Sequence, residues 1–293
     1  MSTAYETVTE SIIKQLESGA APWRKPWGTE TPANFSSKKE YRGINIFLLA
    51  SQGYGSRYWV TYRQAQALGG TVRNGQHGSK VVFWKIGKYR SENQKSEETA
   101  NRRSILLRCY IVFNLEQCEG IKFPAPVRAI NPIEQCESIV RAMPNPPGFA
   151  QDARACYWPA TDTVGMPARS AFLAAEEYYS TLFHEITHST GHPARLGREG
   201  IMSHSPFGSE GYSKEELVAE MGAAMLCGAA GIESRTLGNS AAYLQTWINK
   251  LKLDSRLIVS AASQAQKAAD YILSKGEAET DPATKGENEL ETL

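Results

Sequence analysis

The chain has 293 residues, 41% of them hydrophobic and 22% charged, with 24 Gly, 14 Pro and a formal net charge of +1. That length and composition suit two globular domains with cores of their own and exclude a fibrous or wholly disordered chain. No run reaches the roughly 18 to 20 apolar residues of a membrane span, and the N-terminus MSTAYETVTESIIKQLESG carries neither a basic nor an apolar leader segment, so a cytoplasmic protein with no membrane contact is expected.

Residues 3–19 place Val8, Ile12, Ile13 and Leu16 at helical spacing ahead of Gly19, which predicts an opening helix. Strand character follows at Tyr58–Thr61, Lys80–Ile86 and Ser104–Phe113, so the first half reads as α+β. The polar stretch Arg90–Thr99 between the last two predicts a mobile hairpin loop.

A Pro-punctuated stretch, 123–147, with a short helix near Ile133–Ala142, is the expected domain joint and puts the boundary near residue 130. Beyond it, 153–158 and 162–166 read as two short strands, the second a candidate edge strand for docking an extended peptide. Helices are predicted at Arg169–Thr190, Ser213–Ala229, Leu237–Lys252 and Arg256–Leu273. Residues 276–293 are acidic and poor in large apolar groups, the composition of a disordered tail. Cys109, Cys118, Cys136, Cys156 and Cys227 contain no CxxC pair and fit free thiols in a reducing compartment.

The near-neutral total hides an asymmetry. Residues 1–130 hold 19 Lys and Arg against 10 Asp and Glu, and residues 131–293 hold 13 against 21. A basic half beside an acidic half points to separate partners, with a polyanion for the first. That half also carries more than half of the 28 aromatic residues, interleaved with cations: Trp23, Arg24, Lys25 and Trp27; Lys38, Lys39 and Arg42; Trp59 and Arg63; Lys80, Trp84 and Lys85. Single-stranded nucleic acid calls for this mixture, since cations follow phosphates while aromatic faces stack on unpaired bases. Half of the aromatics are expected in the core instead, where strand aromatics usually sit.

The sharpest motif is His184-Glu185-Ile186-Thr187-His188. On a helix, residues four apart share a face, so His184 and His188 can offer two nitrogens to one metal while Glu185 faces the same cleft as general base. A catalytic zinc needs a third protein ligand and an open position for water. His192 is one candidate, but Gly191 should end the helix before it, and the three-histidine pattern places its last His six residues after the second. The other lies in Glu216-Leu217-Val218-Ala219-Glu220, which resembles the gluzincin pattern Glu-x-x-Ala-Asp. That resemblance makes Glu216 the ligand and Glu220 the residue that supports a ligand His by hydrogen bonding, with Glu in place of the usual Asp. His192 is then a further polar group beside the ligands.

Taken together, the residues resemble the ArdC-type antirestriction proteins of conjugative plasmids. The N-terminal match rests on Trp23–Trp27, Pro32–Asn34, Tyr41–Asn45, Trp59–Ala65 and Gly75–Trp84; the C-terminal match rests on Phe183 through His192 and on Tyr212–Glu220. The resemblance implies a two-domain α+β protein. A single-stranded-DNA-binding module over 1–130 would precede a mainly helical, gluzincin-like metallopeptidase domain with a small sheet over 131–275. It further implies zinc, or manganese, on His184, His188 and Glu216, and protection of incoming plasmid DNA from host restriction endonucleases. A host restriction subunit or another protein would be the peptidase substrate. The alternative is a protein that only shields single strands, its metal site structural or catalytically silent.

Overall fold

The computed structural model describes residues 3–24, 31–88, 103–123, 131–202, 210–232 and 241–275. The loop expected at Arg90–Thr99, residues 124–130 of the joint and the tail 276–293 lie outside them.

The N-terminal half opens with α1 (Ala4–Glu17), started by a capping box in which the Thr3 side chain and the Glu6 side chain each satisfy the other's backbone N–H. After a 3-10 turn at Pro22–Arg24 come β1 (Ala33–Asn34), α2 (Ile44–Ala50), β2 (Tyr58–Val60), α3 (Tyr62–Ala67), β3 (Thr71–Val72), β4 (Ser79–Lys88), β5 (Arg103–Asn114) and β6 (Cys118–Glu119). Strand order is β1-β2-β5-β4, with β3 and β6 paired separately. The β4–β5 ladder is antiparallel and pairs Lys80 with Ile111 and Trp84 with Leu107.

The C-terminal half comprises α4 (Pro132–Ala142), β7 (Gly148–Gln151), β8 (Cys156–Trp158), β9 (Thr163–Met166), α5 (Ala175–Ser189), the single turn α6 (Glu199–Met202), α7 (Glu210–Ala230), α8 (Ala241–Leu253) and α9 (Leu257–Ile272). The helix expected from Arg169 starts six residues later, because Phe172 and Ala174 are extended after a 3-10 turn at Arg169–Ala171. The second sheet runs β7-β9-β8. β9 is therefore the middle strand, paired on both sides, and the edge-strand reading of 162–166 is wrong; β7, which carries no alternating apolar signal, takes up its other side.

Helix α7 lies at the centre of this half. It is apolar on nearly every face, with Leu217, Val218, Met221, Ala223 and Leu226 fully or almost fully buried, as a helix surrounded by other elements must be. It packs against α5 and α9.

The largest hydrophobic cluster does not stop at the domain joint. Val8, Ile12 and Leu16 of α1, Trp23, Ile44, Ile46 and Phe47 of the N-terminal half share one core with α5, α7, α8 and α9. Polar contacts reinforce the junction: the Arg42 guanidinium pairs with Asp270, the Gly43 N–H donates to Gln266 Oε1 at 2.9 Å, and the Thr9 hydroxyl donates to the Ser255 carbonyl at 2.7 Å. Among the described residues no helix is long and apolar enough to cross a membrane.

Candidate metal centre

Helix α5 buries Tyr179, Leu182, Phe183 and Ile186, spaced at i, i+3, i+4 and i+7, and this stripe anchors the helix. His184 and His188 leave from another face. Their Nε2 atoms are 3.1 Å apart. Across from them, α7 delivers Glu216, whose Oε2 is 3.6 Å from His184 Nε2 and whose Oε1 is 3.5 Å from His188 Nε2.

Those three distances, two of them to different oxygens of the Glu216 carboxylate, test whether the residues fit a cation. With ligand bonds of about 2.0–2.2 Å and near-tetrahedral angles, two ligands of one zinc ion lie about 3.3–3.5 Å apart. The observed distances of 3.1, 3.5 and 3.6 Å surround that value. Among the described residues, His184, His188 and Glu216 are the only metal-capable group of three or more, with donor atoms all within 4.8 Å of one another. The electrostatics point the same way. Burial alone would pull the His184 imidazole down, but the carboxylates of Glu216, Glu185 and Glu220 outweigh it and push His184 up to about 9. Carboxylates that favour a proton there also favour a dication.

Close approach of α5 and α7 makes this possible. Gly222 of α7 faces Thr187 of α5, and a Cβ at position 222 would lie 2.5 Å from Thr187 Cγ2. A larger residue would push the helices apart and carry Glu216 away from the histidines.

Around the three side chains stands a set of supports without any motif signal. Glu215, beside Glu216 in sequence, places Oε1 3.4 Å from His188 Nδ1. Arg198 grips the same carboxylate through Nε at 3.0 Å and Nη2 at 2.5 Å, and also donates to the Thr187 carbonyl at 2.8 Å. Burial would raise the Glu215 carboxyl, but hydrogen bonds from His188 and Arg198 hold it below the usual range. Arg195 ties the end of α5 to the second sheet: it donates to the Ser189 carbonyl at 2.7 Å and the Asn145 carbonyl at 3.0 Å, and it pairs with Asp162, which also accepts from the Tyr157 hydroxyl at 2.8 Å. The sheet is thereby fastened beside the metal helix with β8 as its edge. β8 packs against α5 beside the site, and burial first, then the carboxylates of Glu185 and others including Glu216, push the Cys156 thiol of β8 up.

The flanking expectations fare unevenly. Glu185 is buried beside the triad. Glu220, one turn along α7 from Glu216, takes the Trp23 indole N–H at 3.1 Å, so it links the site's helix to the N-terminal half. His192 departs from the expectation of a polar group beside the ligands: it sits past the end of α5, and its Nδ1 accepts the Ala194 backbone N–H at 3.2 Å, a turn cap.

The nucleic-acid set needs more correction. Trp23 and Trp59 are 0% and 2% exposed and present no face to a base. Trp23 packs edge-on to Trp247, and Trp59 edge-on to Tyr54. Trp84 is half-buried against Tyr5, the Arg42 charge is engaged by Asp270, and the Lys38 ammonium folds over the Phe35 ring at 3.4 Å. Lys39, Arg63 and Lys80 are exposed. Lys25, Trp27 and the side chains of Arg24 and Lys85 lie outside the described residues.

A basic α+β half fused to a helical half that presents an HExxH helix and a facing glutamate defines a protein with a zincin-like metallopeptidase fold. The comparisons agree. Residues 135–264 match the zincin-like metallopeptidase family, and residues 2–113 match the N-terminal domain of anti-restriction factor ArdC. The crystal structure of the antirestriction ArdC protein from plasmid R388 in its metal-free form is 38% identical, with 92% of this chain and 96% of that chain covered and a TM-score of 0.74. Its Mn(II)-bound form is 37% identical, with 96% and 100% covered and a TM-score of 0.72. An uncharacterized protein, y4eC, of Sinorhizobium fredii is 36% identical over 285 residues, 92% of this chain and 91% of that one. Two Escherichia coli proteins named DNA primase TraC are also 36% identical, over 290 and 288 residues, but this chain spans only 27% and 20% of their lengths. The chain belongs to the ArdC family of antirestriction proteins.

Proposed function

We propose that this protein binds single-stranded DNA through residues 1–130, shields incoming plasmid DNA from host restriction endonucleases in the cytoplasm, and carries a divalent-metal hydrolytic site in residues 131–275. His184, His188 and Glu216 are the ligands, with zinc as the resident ion and manganese as the alternative. The observation that carries the metal assignment is the convergence of the two imidazole Nε2 atoms, 3.1 Å apart, on the Glu216 carboxylate, whose Oε1 and Oε2 lie 3.5 and 3.6 Å from them. A Mn(II)-bound relative of the same fold supports it.

A bound dication supplies Lewis acidity at the cleft. The remaining roles fall to the chain. Glu185 accepts a proton from the attacking water and passes it to the leaving amine of a cleaved peptide. Glu215, held by Arg198, fixes the tautomer and tilt of His188. The free edge of β8 lines up an extended peptide by strand addition, a host restriction subunit or another protein being the substrate.

A second reading draws on the basic first half alone, with 19 Lys and Arg against 10 Asp and Glu over residues 1–130, and leaves the metal site structural or catalytically silent. On that reading DNA occupancy alone protects. Glu185→Gln separates the two, because it removes the base and keeps the side chain's size. Hydrolysis predicts that protection in a restriction assay is lost while single-strand affinity stays at the wild-type level. Undiminished protection would leave shielding as the function.

A further inference from the structure

The β4–β5 ladder has two faces. On one, Val81 and Val112 are buried against Tyr41, Leu49 and Trp59. Side chains alternate along strands, so Lys80, Val82 and Trp84 share the other face with their partners Ile111, Cys109 and Leu107. Among the described residues, that second face is covered only at its ends. At one end Val82, Trp84 and Leu107 pack with α1, where Tyr5 meets Trp84 edge-on at 5.8 Å. At the other, Val60 is buried beneath α3, and Tyr62 meets Phe113 edge-on at 6.5 Å.

Between these ends the floor is open. Ile111 is 46% exposed and Tyr62 is 49% exposed, while Lys80, Cys109 and Arg63 are exposed as well. Gly78, opposite Phe113, keeps the floor flat: a Cβ there would lie 2.3 Å from Ile111 Cγ2 and 3.0 Å from the Phe113 ring. The open floor from Cys109 to Phe113 is about 13 Å long, similar to the sheet surface on which nucleic-acid modules stack two or three bases.

Charge selects the occupant. From residue 41 to residue 91 the sequence contains no Asp or Glu and eight Lys and Arg, and from 99 to 115 it again contains no acid. The floor strands β4 and β5 and the helix α3 at one end therefore come from carboxylate-free sequence, while α1 at the other end carries Glu6, Glu10 and Glu17; neither Lys80 nor Arg63 forms an ion pair among the described residues. An exposed aromatic edge, a flat apolar floor and uncompensated cations suit unpaired bases on a phosphate backbone; the bases of a duplex are already stacked and have no face to offer.

We infer that single-stranded DNA lies across the open face of β4 and β5 between α1 and α3, stacking on Tyr62 and Phe113 with its phosphates on Arg63 and Lys80. This rests on the single-strand reading above and replaces the buried tryptophans as its contact surface.

Cys109 offers a probe in the full-length wild-type protein. Its alkylation by iodoacetamide, followed by peptide mass spectrometry, should slow several-fold when an oligo(dT) saturates the protein, while Cys118, half-buried on β6, keeps its rate. Tyr62→Ala should weaken oligo(dT) binding about tenfold, Lys80→Glu should weaken it and flatten its salt dependence, and Lys267→Glu on α9 should leave it unchanged. Melting curves for each variant exclude loss of fold. Tight oligo(dT) binding with no protection of Cys109 and full affinity in both face variants would overturn this location and leave the single-strand reading intact. A wild-type protein that does not bind oligo(dT) would remove the reading and the location together.

Discussion

Arg198 grips the carboxylate of Glu215 with two guanidinium nitrogens, at 3.0 and 2.5 Å, and that carboxylate faces Nδ1 of His188, whose Nε2 looks into the metal cleft. Arg and Glu are 8% and 5% exposed, so the pair holds in a low-dielectric setting where one partner cannot be removed without stranding the other. Glu215→Gln should lower metal affinity by about 10–100-fold, the usual effect of losing a partner behind a ligand histidine. Arg198→Ala should destabilise the fold by about 3–5 kcal/mol by leaving a buried carboxylate unmatched. Metal titration and chemical denaturation read the two effects separately; wild-type metal affinity in Glu215→Gln would show that His188 needs no such partner.

Steric contact between Gly222 and Thr187 sets the distance from α5 to α7. Gly222→Ala should cost about 1–3 kcal/mol through overpacking and should weaken metal binding as well, because Glu216 moves with α7. Thr187→Ser removes the methyl nearest the added Cβ and should restore part of both losses in the double variant. Additive effects in that cycle would mean that the two helices do not meet there.

One core joins the two halves, so they should not unfold separately. The full chain should show a single cooperative thermal transition, and a fragment ending at residue 123 should lack one, since it would expose Val8, Ile12, Leu16, Trp23 and Phe47. Trp23→Phe replaces the buried indole with a smaller phenyl ring and deletes the donor to Glu220, at an expected cost of at least about 1.5–3 kcal/mol for the hydrogen bond to a charged group, with the lost packing added to it. Two resolved transitions in calorimetry would contradict a shared core.

Burial works to raise the Asp162 carboxyl, but the hydrogen bonds from Arg195 and Tyr157 and the Arg195 charge hold it below its ordinary 3.8. With the folded value depressed, this stabilisation is complete above the unfolded carboxyl's pKa and is lost as pH falls through the folded one. Asp162→Asn should therefore lower the melting temperature at neutral pH, and the gap from wild type should close as the pH falls below about 4. A gap that does not change with pH would mean that the ion pair contributes nothing.

What could be read in the sequence follows the range of the interactions involved. His184, Glu185 and His188 stand out because helical spacing is local, and Glu216 because its five-residue pattern is local too. Glu215, Arg198 and Arg195 gain their roles from contacts made across the fold, and nothing next to them in the chain announces those roles. Trp23 shows the opposite failure. Flanked by Arg24 and Lys25 it looks like a stacking residue, yet it is fully buried against Trp247 and Glu220, because charge interleaving along the chain does not report burial. Helix α2 carries no periodic signal, since its run of Ile44 to Leu49 is buried on every side. β9 took the place of an edge strand in the sequence reading because β7, exposed at all four positions, gives no apolar alternation to reveal a third strand.

The most direct test of the account is the metal content of purified wild-type protein beside His184→Ala, His188→Ala and Glu216→Ala, each checked for wild-type melting behaviour in the presence of chelator. Convergence of these side chains predicts about one zinc or manganese ion per wild-type chain and a substoichiometric, weakly held ion in every variant. Equal metal content in wild type and the three variants would contradict the site.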